Sequence, residues 1–103
     1  MAEQKQINFA IAPDESTGPE RQYANFCAVQ HTPFDFTLTF CEVKPLSEKE
    51  IRDAAEEHVV HAPVRARMVL PVQFVGPLIA ALQENLRIYT ESTQNQAPPG
   101  PVH

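Results

Sequence analysis

The chain has 103 residues, 13 of them acidic and 8 basic, for a formal net charge of −5. Nucleic acids and anionic membrane surfaces are bound through clustered Lys and Arg, which here are scattered, so both are disfavoured as partners. No apolar run approaches the ~18–20 residues of a membrane span, the polar first residues do not read as a secretory leader, and two cysteines are too few for a secreted disulfide framework. The expected location is the cytoplasm.

Residues 1–6 are expected to be disordered. In residues 7–11 the alternation of Ile7, Phe9 and Ile11 with Asn8 and Ala10 predicts a short peripheral strand, ended by the turn formers between Pro13 and Pro19. Residues 22–30 read as a stronger strand. Tyr23, Cys27 and Val29 lie on one face with Asn25 among them, and Ala24, Phe26 and Ala28 lie on the other. Both faces are largely apolar, the pattern of a strand covered on two sides. One helix covers only one side, so something else must cover the second.

His31-Thr32-Pro33-Phe34-Asp35 forms a turn, and Phe36, Leu38 and Phe40 then alternate with Thr37, Thr39 and Cys41. The short loop makes these two strands an antiparallel hairpin. An insert, residues 45–62, follows. Its Ser47-Glu48-Lys49-Glu50 matches a capping box, and Ile51, Ala54, Ala55 and Val59 give a thin helical stripe, so the insert is expected to be mobile with an optional short helix. From Val64 to Leu70 apolar residues alternate with Arg65, Arg67 and Val69 in a further strand. Pro71 then starts the main helix, with Val75, Leu78, Ile79, Leu82, Leu86 and Tyr89 at spacings of three and four, ending near Glu91. Gly76-Pro77 implies either a helix that starts there or one that kinks. The proline-rich residues 92–103 are expected to be disordered.

The fold class is therefore α+β: an antiparallel sheet of about four strands, then one long C-terminal amphipathic helix, in a single β-β-β-β-α domain over residues 7–91. Such a domain buries little more than ~60% of its unfolded surface and folds with little margin. A shared core would add to it.

Three stretches together carry a family resemblance. They are Tyr23-Ala24-Asn25-Phe26 followed by His31-Thr32-Pro33-Phe34-Asp35-Phe36, then Arg67-Met68-Val69-Leu70-Pro71, then Ala81-Leu82-Gln83-Glu84-Asn85-Leu86-Arg87-Ile88-Tyr89. With them the chain resembles a family of short bacterial and archaeal proteins catalogued as a domain of unknown function. It differs from that pattern in the length of the 45–62 insert and in Gly76-Pro77. The resemblance implies no activity. The order of elements is also similar to that of the Sec-pathway export chaperone, a dimer of dimers that holds unfolded clients, although architecture alone does not transfer function.

Several residues invite chemistry, and each has a plainer reading. Cys27 and Cys41 lie in neighbouring strands and would face each other if the hairpin loop were odd in length, but without Cys-x-x-Cys spacing they read as buried thiols. His58 and His61, three apart, would share a helix side and with His31 and the cysteines make a zinc site on paper; solvated or capping histidines are the better account. His31, with Thr32 and Asp35 nearby, reads as a turn histidine capping backbone groups, because no nucleophile or anion loop accompanies it. Asn25 reads as a buried amide paired across strands or across a subunit boundary. Gln83, Glu84 and Asn85 read as a solvated helix face, and Arg65 and Arg67 as ion-pair partners of Glu56 and Glu57.

No catalytic residue, metal ligand or cofactor is expected. The expected surface is an interface made of Tyr23, Asn25, Phe26, Cys27, Val29, Leu82, Leu86 and Tyr89. It would serve a self-associating structural or adaptor domain, a homodimer or dimer of dimers, with another protein as a further partner. A client-holding chaperone is the alternative, and a small metal-binding protein or enzyme the third reading.

Overall fold

A computed structural model describes residues 8–95. Three antiparallel strands, β1 (Phe26–His31), β2 (Asp35–Cys41) and β3 (Val64–Pro71), form a sheet in the order β1-β2-β3. A ten-residue helix α1 (Glu48–Glu57) lies between β2 and β3, and a 24-residue helix α2 (Val72–Asn95) follows β3. This is the α+β arrangement of sheet, insert helix and long C-terminal helix, with three strands in place of about four. Residues 8–11 form no strand, and Phe9 and Ile11 stand 83% and 99% exposed. Among the described residues nothing covers their alternating face. Ile7, the rest of that expected strand, lies outside the described residues, as do residues 1–6 and 96–103. Residues 92–95, expected to be disordered, belong to α2.

β1 begins at Phe26, four residues later than the alternation from Gln22 suggests. Asn25 marks the change: its backbone N–H donates to the Cys41 carbonyl at 3.0 Å, and its side chain takes over from there. The hairpin turn is organised by Thr32. Its Oγ1 accepts from the backbone N–H groups of Phe34 and Asp35 and donates to Asp35 Oδ1 at 2.9 Å. Thr32 thus does the capping expected of His31, which instead ends β1 with its ring stacked on Phe36 at 5.2 Å.

In α1 the capping box forms as its sequence dictates. Glu50 N–H donates to Ser47 Oγ, and Ser47 N–H donates to Glu50 Oε1 at 2.9 Å. His58 closes the helix in the left-handed region, φ 58°. Among the described residues α1 touches neither the sheet nor α2. Its two flanks are held together by Glu42 N–H donating to the Pro63 carbonyl.

Pro71 is the last residue of β3 and not the first of the helix; α2 begins at Val72 and runs unbroken through Gly76 and Pro77. No residue connects strand to helix, where such connections ordinarily take about 2–6. Of the α2 side chains described, Val75 and Leu78 are the least exposed, and none is buried.

The core of the lone chain is correspondingly thin. Cys41 and Leu70 are the only buried apolar residues among those described, at 7% and 8% exposure, and no side chain is fully buried. The chain exposes 9912 Å². A compact protein of 11.5 kDa exposes about 5,800 Å².

Candidate interaction surface

The strand register divides the sheet into two unlike faces. On one, three rungs run across all three strands: Cys27–Phe40–Ala66, Val29–Leu38–Met68 and His31–Phe36–Leu70. Histidine aside, this face is apolar throughout. Its outer members are open, Val29 at 57% and Met68 at 51% exposure, while Phe36, Leu38 and Phe40 in the middle strand are half-buried by their neighbours. The opposite face carries Ala28–Thr39–Arg67 and Gln30–Thr37–Val69, a mixed surface that water can cover, with Phe26 and Cys41 at its far end. A register shift between Phe40 and Cys41 sets Val64 opposite Cys41, out of step with Ala66, Met68 and Leu70.

The same register separates the cysteines. The loop is even in length, so Cys27 sits opposite Phe40 and Cys41 opposite Phe26. They lie on opposite faces, one exposed and one buried, and both are free thiols.

The second part of the surface is α2. Val75, Ile79, Leu82, Leu86 and Tyr89 recur at alternating spacings of four and three. At 100° per residue, adding Phe74, Leu78, Ala81 and Ile88 spreads the apolar arc over about half the circumference. Ile79 and Ile88 are 49% exposed, and Leu82, Leu86 and Tyr89 between 63% and 65%. The helix charges all lie opposite this arc. Arg87 bridges Glu84 and Glu91 there, raising its own pKa, and its hydrogen bond to Glu84 lowers that carboxyl below the usual glutamate range. Asn85, expected on the solvated side with Gln83 and Glu84, falls inside the apolar arc, where its Nδ2 donates to the Ala81 carbonyl of its own helix at 2.9 Å.

Of the residues expected at an interface, Cys27 and Val29 share the apolar sheet face, and Leu82, Leu86 and Tyr89 share the helix arc. Phe26 points to the other face of the sheet, and Tyr23 precedes β1 at 63% exposure. Asn25 is exposed and not buried, but it does pair across the sheet: Nδ2 donates to the Val43 carbonyl at 3.0 Å and Oδ1 accepts from Val43 N–H at 2.7 Å. Its amide replaces a rung of backbone ladder beyond the end of β1. Phe74, Ile88 and the Leu38–Met68 rung were missed as surface residues. Strand alternation identified the sheet residues as core, without indicating that the core would lie open.

The titratable residues do not converge. His58 caps α1, while His61 lies beyond the helix, 3.7 Å from Glu57. Arg65 pairs with Glu42 at 3.5 Å and Arg67 donates to Thr39, so neither meets Glu56 or Glu57. These arginines are strand residues, whereas the insert's acidic helix makes no contact with the sheet. No group of three metal-binding side chains occurs among the described residues. A shallow pocket of about 190 Å³ lies between α1 and the returning Val59, Val60 and His61. No helix among the described residues is long and apolar enough to cross a membrane.

The chain belongs to the family described as "Protein of unknown function (DUF3467)", whose model matches residues 1–95. No curated protein and no solved structure matches it.

Proposed function

We propose that this domain is a self-associating structural module whose hydrophobic core is completed between copies of the chain. One observation carries the reading: among the described residues only two apolar side chains are buried, while twenty large apolar ones are exposed. Ordering a residue costs about 1–2 kcal/mol of backbone entropy, and apolar burial is the main term that offsets it. Two buried side chains do not supply that, so the fold needs cover from outside the chain. The acidic balance keeps such an assembly dispersed without offering a surface to nucleic acid.

The test is the mass in solution, by light scattering and sedimentation across a wide concentration range. The expected result is a dimer or a multiple of it, with thermal stability that rises with protein concentration. Val29→Asp, on the open apolar face of the sheet, is expected to yield a monomeric or unfolded chain. A cooperatively folded monomer at every concentration would sink the proposal.

The uncovered apolar sheet face also favours a second reading, in which the module holds unfolded client chains. It requires apolar surface to remain open after assembly. Excess protein should then slow the aggregation of an unfolded test protein, and no effect on that rate would remove this reading.

A further inference from the structure

The geometry points to an exchange of helices: α2 of one copy lies across the Val29–Leu38–Met68 face of a second copy, and the second returns the same contact. This rests on the self-association proposed above and specifies its form.

Four observations lead there. The first is the junction. β3 ends at Pro71 and α2 begins at Val72. With no residues to form a turn, the helix leaves the end of the sheet and does not fold back over it. Val75 and Leu78 are half-buried where it departs, and every α2 side chain described from Ile79 onward is exposed. Tyr89, 18 residues into the helix, is about 27 Å along its axis from the Pro71–Val72 junction. It is 65% exposed in the lone chain.

The second observation is fit. The sheet face has three rungs, apolar except for His31 and open except at the buried Leu70, and the exposed part of α2 presents an apolar arc with no charged side chain in it. The third is the width of that arc. A helix that only pairs with another helix needs a narrow two-position seam, whereas half the circumference is what a helix buries when it enters a core. The fourth is area. The chain exposes roughly 4,000 Å² more than a compact monomer of its mass, and an obligate homodimer takes about 1,000–2,500 Å² from each partner. The excess leaves room for a second copy on both surfaces at once. The charges agree, since Glu84, Arg87 and Glu91 are all turned away from the arc and bring no like-charge conflict to the contact.

The test uses the full chain with a photoreactive benzophenone side chain replacing Tyr89, coexpressed with an affinity-tagged unmodified chain. After irradiation, any cross-link on the tagged chain is intermolecular and can be mapped by peptide mass. The expected result is attachment to tagged peptides containing Val29, Leu38 or Met68. The same replacement at Leu82 serves as a second position should the first disturb folding. Attachment to the tagged chain's α2 alone, or only within the modified chain's own sheet, overturns the exchange. In either case a dimeric mass leaves self-association standing, whereas a folded monomer at every concentration ends both.

Discussion

The double substitution Leu82→Ala with Leu86→Ala separates an interface from a solvated helix by a wide margin. Both leucines belong to the exposed arc of α2, 63% and 64% open in the lone chain. Leu→Ala removes three carbons, worth about 2.4 kcal/mol if fully buried at about 0.8 kcal/mol each. Association newly covers roughly two-thirds of each side chain, so each substitution weakens it by about 1.5 kcal/mol. Two sites in each of two chains give about 6 kcal/mol, or roughly four decades in dissociation constant. If the leucines simply face water, the same changes alter stability by no more than about 0.5 kcal/mol, and alanine even improves helix propensity. Sedimentation velocity from nanomolar to hundreds of micromolar measures the shift, with circular dichroism at each concentration to register unfolding coupled to dissociation. A double variant with the parent's mass and melting curve throughout would refute the reasoning.

Asn25→Ala removes both side-chain hydrogen bonds to Val43 and is expected to cost about 1–2 kcal/mol; amide exchange at Val43 should quicken, and unchanged exchange would show that water replaces the amide. Ser47→Ala breaks the capping box and should weaken α1 by about 1 kcal/mol, with the sheet resonances unmoved because α1 touches no other element; a matching fall in global stability would contradict that isolation. The Ser47 backbone N–H holds the Glu50 carboxyl below its ordinary value of 4.5, so its contribution is complete above that value and is lost as pH falls through the lower folded pKa. Helical chemical shifts of α1 should fade in that acid range, and a Glu50 titration at or above the ordinary value would refute the cap. Cys27, on the apolar sheet face, should alkylate more slowly when the chain associates than at dissociating dilution, while Cys41 stays slow; equal rates for Cys27 would place that face outside the contact.

Element types were legible wherever local chemistry decides them. The alternation of Phe36, Leu38 and Phe40 gives β2, the Ser47–Glu50 box gives α1, and the three-and-four spacing through Tyr89 gives α2. Details set by pairing were not legible. Whether Cys27 faces Cys41 depends on loop parity, and that is decided by Thr32, whose hydroxyl gathers two amides into a four-residue turn. The partners of Arg65 and Arg67 depend on where α1 hangs, and an isolated helix leaves no periodic trace of its position. The site was legible in composition and not in exposure. A two-faced strand and a long apolar helix face state that surface should be buried, but only the structure shows Val29, Met68, Leu82 and Leu86 exposed in the lone chain.

The edges of the sheet lead to the same conclusion independently of its faces. Among the described residues β1 and β3 each pair only with β2, so each has one open edge there. β3 carries devices that discourage further pairing: Arg65 and Arg67, a register irregularity beside Val64, and Pro71, which has no N–H to donate. β1, Phe-Cys-Ala-Val-Gln-His, has no lysine, no arginine, no proline and no bulge. The segment whose alternation would suit it, around Phe9 and Ile11, remains unpaired in the lone chain. Adding that strand would bury few apolar contacts while the neighbouring sheet face is open to water, so its entropy of ordering is not offset. Once a second copy covers that face, the same strand would gain a surface to pack against. An edge without guards beside a face without cover is what the proposed assembly would finish.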